Sequence, residues 1–385
     1  MSWKERNKHM VSTKTRVAVV YGGTSGEHSI SCVTAGAVMA ALDPNRYDVI
    51  SIGITREGIW VPGETDLSRL CLSDAGLPEV AASSERVVIP PGDGSQELFV
   101  LNTASLNGEL SVRSLGCVDV VFPLLHGPFG EDGTIQGLLE MANLPYVGCG
   151  VFASAAGMDK HYMKLVLEDA GISVSPYVAV TARQWSCDPE AVRSAVSKLK
   201  FPLYVKPARA GSSLGISRID SIDQLNAAIE TAHQHDPKVL IEQGVDGREV
   251  ECGVLGGHGY EPTRASYPGE VILDVSDDEF YDFNHKYLDT AALTNQVPAQ
   301  LTESVTQSVR ETVRQAFEAF GCEGLARVDC FVAECGEVLV NEINTMPGFT
   351  PFSMYPVLWE NMGMSYSQLV DELIALALER GTGLR

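Results

Sequence analysis

The amino-acid sequence predicts an α/β protein of several domains, with a parallel sheet in its N-terminal part. At 385 residues the chain is too long for one ordinary core, so two or three domains are expected. An apolar run, Val17–Tyr21, ends in Gly22-Gly23 and is followed by an amphipathic stretch from about Glu27 to Leu42 and a β-rich run, Tyr47–Thr55. This order of strand, glycine turn, helix and strand predicts a parallel sheet.

The rest of the chain alternates strand-like and helix-like patterns. Val118–Leu125 has the composition of a buried central strand and delivers His126-Gly127 at its carboxyl end, where ligands bind in open α/β sheets. A helical pattern from about Phe152 to Asp169 ends at Gly171. The later strand and helix patterns lie at Tyr177–Thr181, Pro189–Leu199, Leu203–Lys206, Ile222–His233, Val239–Gln243, Arg248–Gly256, Thr302–Phe320, Leu325–Ala333 and Val338–Asn344.

Two less regular regions interrupt this alternation. Residues 58–116 are rich in Pro, Gly and Ser and are expected to hold loops and edge strands. The polar segment 275–298 is too long for a simple connection, which predicts a functional lid or Ω-loop.

Composition and charge narrow the function classes. The formal net charge is −22, and such an acidic surface repels phosphate backbones, which argues against a nucleic-acid partner. The nine cysteines show no C-x-x-C spacing, so free thiols in a reducing compartment are favoured over disulfides or zinc. Residues 1–16 are polar and basic, which predicts a flexible arm rather than a signal peptide. No run approaches the ~18 apolar residues that cross a bilayer. We therefore expect a cytoplasmic protein without a membrane partner.

The most informative segment is LARVDCFVAECGEVLVNEINTMPG, residues 325–348. A tight hairpin closing on Cys335-Gly336 would pair Glu334 with Glu337. Four polar residues then pair across the two strands and share one face, because side chains alternate along a strand. The predicted pairs are Asp329 with Glu342 and Arg327 with Asn344. The other face carries Asn341 and five apolar residues typical of a core: Val328, Cys330, Val332, Leu339 and Ile343.

The polar face of this hairpin has the composition of a metal site. The carboxylates of Asp329 and Glu342 and the amide of Asn344 repel one another unless a cation lies between them, and hard oxygen ligands suit Mg²⁺ shared with phosphate oxygens. Arg327 would neutralise charge on a reacting group. A solvated polar face with an Arg–Asp cross-strand pair is the alternative. The following turn leaves the Gly348 N–H free to bond an oxyanion.

Three further segments fit a nucleotide less specifically. The Gly/Ser loop after Lys206 lets backbone N–H groups approach phosphate oxygens, although an ordinary hairpin turn has the same composition. Lys160, near the start of a helix, is either a phosphate ligand or a solvated lysine. The segment from Glu242 to Glu249 can present backbone groups to an adenine edge and a carboxylate to ribose hydroxyls. Its composition also fits a charged turn.

Taken together and in order, these segments resemble the D-alanine–D-alanine ligases of the ATP-grasp superfamily. The ordered set comprises a glycine-rich first turn followed by HGPFGEDGTIQG, MDK, VKPARAGSSLGI, EQGVDGRE, FYDFNHKY, LARVD and NEINTMPG. The resemblance covers the chain from about Val17 to its end. It implies a three-domain architecture with an N-terminal Rossmann-like domain at 17–148, a central ATP-grasp domain at 149–245 and a C-terminal one at 246–385. ATP would lie between the last two, both α+β.

The resemblance also implies roles for individual residues. ATP would be bound by Lys160, Lys206, Ser212, Glu242, Gln243, Gly244, Val245, Glu249 and Lys286. Two Mg²⁺ ions, replaceable by Mn²⁺, would be held by Asp329, Glu342 and Asn344. The two D-alanines would be bound and joined by Glu27, His126, Ser212, Tyr287, Arg327, Gly348 and Ser353.

The family's pattern gives further detail at four positions. Glu27 would anchor the first D-alanine's ammonium, although Thr24-Ser25-Gly26-Glu27 also fits a helix capping box. Tyr287 would orient Ser212 and Glu27. Gln243 and Ala210 stand where many members of the family have charged residues, which affects nucleotide affinity rather than the reaction type.

The implied function is ATP-dependent ligation of two D-alanines through a D-alanyl phosphate, for peptidoglycan precursors, by an enzyme expected to be a homodimer. The alternatives within the family are D-alanine–D-lactate and D-alanine–D-serine ligases. A dinucleotide-dependent oxidoreductase would share the first glycine turn, but no G-x-G-x-x-G follows a strand. A non-catalytic nucleotide sensor would not need the complete set of metal ligands and lysines.

Overall fold

The computed structural model describes residues 14–72, 76–92, 94–102, 111–211, 214–273 and 293–383. They belong to two compact units. The first holds the chain up to Leu125 with Leu138–Val147 and Val370–Leu384, and the second holds His126–Gly137 and Gly148–Leu369. The domain boundaries at 148 and 245 stay a prediction. Most of the expected lid, 275–298, lies outside the described residues.

The helices and strands are numbered in chain order. They are β1 (Thr15–Gly22), α1 (His28–Ala41), β2 (Tyr47–Ile54), β3 (Trp60–Pro62), β4 (Glu85–Val88), β5 (Glu97–Asn102), β6 (Ser111–Cys117), β7 (Val120–Pro123), α2 (Thr134–Met141), α3 (Val151–Met158), α4 (Lys160–Asp169), β8 (Tyr177–Thr181), α5 (Ala182–Cys187), α6 (Pro189–Val196), β9 (Leu203–Pro207), β10 (Ser217–Ile219), α7 (Leu225–His233), β11 (Lys238–Gln243), β12 (Gly247–Leu255), β13 (Arg264–Ala265), β14 (Glu270–Leu273), β15 (Leu293–Gln296), α8 (Glu303–Ala319), β16 (Leu325–Ala333), β17 (Val338–Asn344), α9 (Met354–Asn361) and α10 (Tyr366–Arg380).

The main sheet of the first unit has the strand order β3-β2-β1-β7. Strand β1 runs parallel to both β2 and β7, which confirms the predicted parallel sheet. Residues Val17 to Val20 are fully buried, as expected for a central strand covered on both faces. Strand β1 begins at Thr15, inside the predicted arm of residues 1–16. The reason is that Arg16 donates its N–H to Asp119 over 2.7 Å and its guanidinium to the carbonyls of Leu115 and Cys117.

The irregular region of the first unit forms a second, antiparallel sheet in the order β4-β5-β6. It accounts for much of the stretch 58–116 that the composition assigns to loops and edge strands. The segment before β4 returns to the carboxyl ends of β1 and β2, where Val80 lies close to Gly22 and Gly53.

Among the described residues, the second unit contains a two-stranded antiparallel sheet of β14 and β15 and two four-stranded antiparallel sheets. One has the order β10-β9-β11-β8, with α6 and α7 burying apolar side chains against it. The other has the order β13-β12-β16-β17. Helix α8 buries Val309, Val313 and Phe317 on one face of this second sheet, at the helical spacing that its sequence predicts. The opposite face of the sheet carries the polar residues considered below.

The helix predicted from Phe152 to Asp169 is interrupted. Asp159 has extended backbone angles and ends α3, and its side chain accepts hydrogen bonds from the N–H groups of His161 and Tyr162, which starts α4. The interruption places Lys160 at the first position of a new helix. Among the described residues, no helix is long and apolar enough to cross a membrane.

Candidate active site

The β16–β17 hairpin carries the predicted polar face. Arg327 lies opposite Asn344, and Asp329 lies opposite Glu342, which confirms the predicted pairs. The register then shifts by one residue, so that Cys330 lies opposite Val340. Asn341 is the extra residue of this bulge, and its amide donates a hydrogen bond of 3.1 Å to Glu249 on β12.

The bulge corrects two details of the predicted hairpin. Ala333, rather than Glu334, pairs with Glu337, because its N–H donates to the Glu337 carbonyl over 2.9 Å. The connecting loop is therefore Glu334, Cys335 and Gly336, with Gly336 at a φ of +87°. Leu339 lies opposite Phe331 instead of on the core face, and Val338 and Val340 join the core in its place.

Three carboxylates form one row across three neighbouring strands. Glu251 on β12 lies opposite Asp329, which lies opposite Glu342. Like charges directly opposite one another are destabilising, so this row needs cations. The guanidinium of Arg327 supplies one: it donates two hydrogen bonds of 2.7 Å to Asp329, and its Nε lies 2.9 Å from Glu251 Oε2.

Burial and the neighbouring carboxylates shift the pKa of Arg327 in opposite directions. Burial alone would lower the pKa of this guanidinium, but Asp329 and Glu251 outweigh it and raise the pKa well above its ordinary value. Arg327 is therefore always charged. Asn344 adds a hydrogen bond of 3.0 Å from its amide to Asp329, which joins the metal-type donors into one connected group.

Lys160 connects this polar face to the Gly/Ser loop. Its ammonium lies 3.6 Å from Glu342 Oε2 and donates to the Ala210 carbonyl over 2.9 Å. Its backbone N–H donates to the Ala208 carbonyl, also over 2.9 Å. The side chain and the backbone of Lys160 therefore both bond the segment that follows Lys206.

Glu242 is a buried carboxylate between two lysines. Lys206 Nζ lies 2.5 Å from Glu242 Oε2, and Lys164 Nζ lies 3.4 Å from Glu242 Oε1. Burial would raise the pKa of Glu242, but the two ammonium groups outweigh burial and lower it. Burial would likewise lower the pKa of Lys206, and Glu242 reverses that effect and raises it. Lys164, which also donates to Ser175 over 3.1 Å, has a pKa lowered by its complete burial.

In the segment after Glu242, two backbone N–H groups already form hydrogen bonds within the protein. The N–H groups of Gln243 and Gly244 donate to the carbonyls of Pro176 and Pro202. The Gln243 side chain accepts a hydrogen bond of 3.0 Å from the Lys200 N–H, so it supports the fold here. Glu249 is exposed at the start of β12, on the same face as Glu251.

Three further candidates of the second unit lie in loops. Gly348 faces Ser353 so closely that a Cβ added to it would lie 3.2 Å from Ser353 Oγ. Ser353 Oγ accepts from the Thr350 N–H over 3.1 Å. His126 is buried, and its Nδ1 lies 3.6 Å from Glu131 Oε1, which accepts a hydrogen bond from the Gly127 N–H.

Glu27 lies in the first unit, at the N-cap position of α1. Its side chain makes no capping hydrogen bond. Its N–H donates to Ser25 Oγ over 3.2 Å, and Ser25 accepts the His28 N–H at its carbonyl over 3.3 Å. The turn therefore differs from the capping box that the sequence also allowed, in which Thr24 would be the N-cap.

The second unit thus brings eight predicted residues to one region: Lys160, Lys206, Glu242, Glu249, Arg327, Asp329, Glu342 and Asn344. Ser212, Lys286 and Tyr287 lie outside the described residues. Glu251 and Lys164 were not predicted. The alternation of Glu249 and Glu251 along a strand could have indicated the first, and the one-turn spacing of Lys160 and Lys164 the second.

The oxygen donors of the polar face are fewer than a complete metal site needs. Within the described ranges, no group of three or more His, Cys, Asp or Glu side chains has the arrangement of a metal site. The predicted set instead offers two carboxylates and one amide, which suits a cation that completes its shell with water and phosphate oxygens. In this state Arg327 and Lys160 neutralise the carboxylates. The residues fit Mg²⁺ that arrives together with a polyphosphate.

Proteins of one known family are similar to this chain over nearly its whole length. Family models described as "D-ala D-ala ligase N-terminus" and "D-ala D-ala ligase C-terminus" match residues 16–149 and 166–375. The D-alanine--D-alanine ligase of Arthrobacter sp. (strain FB24) is 54% identical over 387 residues, covering 100% of both chains. That of Paenarthrobacter aurescens (strain TC1) is 54% identical, covering 97% of this chain and 98% of its own.

Solved structures give the same picture. The VanG D-Ala:D-Ser ligase from Enterococcus faecalis is similar with a TM-score of 0.78 and 33% identity, covering 94% of this chain and 99% of its own. The D-alanine-D-alanine ligase from Coxiella burnetii has a TM-score of 0.77 and 32% identity, covering 96% and 95%.

Proposed function

The chain belongs to the D-alanine–D-alanine ligase family and is an ATP-using ligase that forms the D-alanyl-D-alanine dipeptide, and we propose how its residues carry out that reaction. The observation that carries the proposal is the polar face of β12, β16 and β17, where Arg327 and Lys160 meet the row Glu251, Asp329 and Glu342. Such a face stabilises the transfer of a phosphoryl group, because charge develops there on oxygen atoms.

ATP is proposed to bind with its phosphates between the Lys206 strand end and this face. Lys160 and Lys206 already lie beside it and would exchange their contacts with Glu342 and Glu242 for phosphate oxygens. The Val245 N–H has no acceptor among the described residues, which fits a contact with the adenine edge. Glu249, which accepts a hydrogen bond from Asn341, would bond the ribose hydroxyls.

We propose that Asp329, Glu342 and Asn344 hold two Mg²⁺ ions, which Mn²⁺ can replace. When bound, it supplies charge stabilisation for the phosphoryl group. Arg327 would then release part of its bonding to Asp329, remain beside Glu251, and bind the oxygens of the reacting carboxylate. After this exchange each carboxylate of the face still has a cation beside it.

The chemistry follows from the poor leaving group of a carboxylate. A carboxylate oxygen of the first D-alanine attacks the γ-phosphorus of ATP, the bond to the β–γ bridging oxygen breaks, and D-alanyl phosphate and ADP form. The amine of the second D-alanine attacks the carbonyl carbon, phosphate leaves, and the nitrogen loses a proton. The Gly348 N–H and Arg327 are proposed to stabilise the tetrahedral oxyanion, and Ser353 to bind the second carboxylate.

Several finer properties are proposed from the same family membership. Glu27 and His126 would bind the first D-alanine. Tyr287, Ser212 and Lys286 would complete the site, and the product would serve peptidoglycan synthesis in the cytoplasm of a homodimeric enzyme. The identity of 54% over nearly the full length to D-alanine--D-alanine ligases favours D-alanine as the second substrate.

The test is phosphate release from ATP with a panel of D-alanine, D-serine and D-lactate. D-alanine alone should give phosphate and D-alanyl-D-alanine in equal amounts. Phosphate release that needs D-serine or D-lactate as a second substrate would contradict the assignment of the dipeptide. An Arg327→Lys variant tests the charged face, since it keeps the charge but loses the bidentate contact with Asp329. Its rate should fall by about 10²-fold or more.

A further inference from the structure

His28 is a completely buried histidine next to Glu27, and two backbone groups bond its ring. The Nδ1 atom lies 2.6 Å from the Gly23 carbonyl oxygen. The Nε2 atom accepts a hydrogen bond of 3.1 Å from the Val80 N–H. A carbonyl can only accept and an N–H can only donate, so the ring is neutral with its proton on Nδ1. Both ring nitrogens are therefore used.

The first of these bonds closes the turn that carries Glu27. Gly23 begins the turn at a φ of +94°, and His28 ends it as the first residue of α1. The Gly26 Cβ position has no atom within 4 Å, so packing does not fix the middle of the turn. The backbone through Glu27 is held by the bond from His28 Nδ1 to Gly23, by the two contacts made by Ser25, and by the Ser31 N–H, which donates to the Glu27 carbonyl over 3.0 Å.

The second bond ties this turn to a strap formed by residues 77–81. Val80 fits against two glycines at the carboxyl ends of β1 and β2: a Cβ on Gly22 would lie 2.9 Å from its Cγ2, and one on Gly53 would lie 2.6 Å from its Cγ1. A further link, from Arg56 to Glu79 at 2.7 Å, is largely exposed and contributes little. The His28–Val80 bond, made by a completely buried imidazole, is therefore the better protected of these two polar links to the strap.

We infer that His28 is a positioning residue for Glu27, and that the strap 77–81 forms part of the site for the first substrate's ammonium group. This rests on the proposed role of Glu27. The carboxyl ends of β1 and β2 are the edge where ligands bind in parallel sheets, and the strap covers that edge. An ammonium bound by Glu27 requires its carboxylate in one orientation, and the neutral, doubly bonded imidazole supplies that orientation without a competing charge.

The experiment uses two conservative variants that each keep one bond. His28→Asn places an amide N–H near the Nδ1 position and keeps the bond to Gly23. His28→Gln places an acceptor near Nε2 and keeps the bond to Val80. Losing one buried hydrogen bond should raise the KM for D-alanine about 10-fold in each variant, and His28→Ala should raise it about 100-fold, while the KM for ATP stays within about 2-fold. Arg113→Gln, which breaks the largely exposed pair with Glu85 in the same unit but outside both the strap and the turn, is the matched control.

A merely structural histidine would give a different result. In that case the melting temperature would fall while the KM for D-alanine stayed at the wild-type value, or the KM values for ATP and D-alanine would rise together, and either outcome overturns the inference. If His28→Ala does not fold, the Asn and Gln variants carry the test. A wild-type enzyme that releases no phosphate with D-alanine would instead refute the proposed function, which keeps the two failures distinct.

Discussion

The polar face of β12, β16 and β17 and the glycine turn before α1 are held in different ways. On the polar face, carboxylates and cations are paired with one another, as in Arg327 with Asp329 and Lys206 with Glu242. In the glycine turn, backbone groups and one neutral imidazole fix the geometry. In a site that binds a polyphosphate, each cation can stay paired with a carboxylate until a phosphate oxygen replaces that carboxylate. A site for a single ammonium needs its carboxylate already in place.

The largest expected effect concerns the buried group of Glu242, Lys206 and Lys164. Glu242→Gln leaves two buried ammonium groups without a counter-charge, and the free energy of unfolding should fall by about 3–5 kcal/mol. Chemical denaturation measures this. Asp220→Asn breaks the exposed pair with Arg218 and should change stability by less than about 1 kcal/mol. Equal effects of the two variants would show that burial does not distinguish these pairs.

The same carboxylate predicts a pH dependence. Its folded pKa lies below the ordinary value of 4.5, so it adds stability above that pH and loses it as the pH falls toward the folded pKa. The wild-type melting temperature should therefore decrease on acidification below about pH 4.5 more steeply than that of Glu242→Gln.

The next effect tests the polar face directly. Glu342→Gln keeps the shape of the side chain but removes one charge from the proposed metal ligands, so kcat should fall about 10²–10³-fold with little loss of stability. Steady-state kinetics at saturating Mg²⁺ measures it. Glu337→Gln, at an exposed position next to the turn of the same hairpin, should have wild-type kinetics. Near-normal turnover of Glu342→Gln would remove this residue from the metal site.

Gly22→Ala tests the other region by steric means. Gly22 has a φ of +94°, and a Cβ would lie 2.2 Å from the Ile54 carbonyl oxygen. Stability should fall by more than about 2 kcal/mol, equally at low and high salt, since no charge is involved. Gly26→Ala, in open space within the same turn, should cost much less. A salt-dependent loss in Gly22→Ala would contradict the contrast between the two regions.

The smallest effect concerns Glu251, which we expect to keep Arg327 in place when Asp329 turns to a metal ion. Glu251→Gln removes a charge-assisted contact and should lower kcat about 10-fold. The affinity for Mg²⁺ and nucleotide, measured by calorimetry, should be unchanged, because Glu251 is not a proposed ligand. Glu251→Asp should recover part of the rate. A loss of metal affinity instead would make Glu251 a ligand.

Much of the fold and part of the site could be read directly from local patterns. The run at Val17–Tyr21 with its glycine turn predicted the parallel sheet, and strand alternation placed Asp329 opposite Glu342. These inferences succeed because side-chain direction in a strand depends only on neighbouring residues. The pairing survived even though the predicted turn was one residue too short, because the bulge at Asn341 restored the register.

The sequence by itself therefore determined the types of the elements, the order of the motifs and the face on which the hairpin's charges lie. Only the tertiary structure decided which distant charges meet: Glu251 with Arg327, Lys164 and Lys206 with Glu242, and His28 with Val80. The physical reason is that these contacts join segments with no shared periodicity. Their partners are chosen by burial, since a charge or a polar ring removed from water is stable only where the fold brings it a partner.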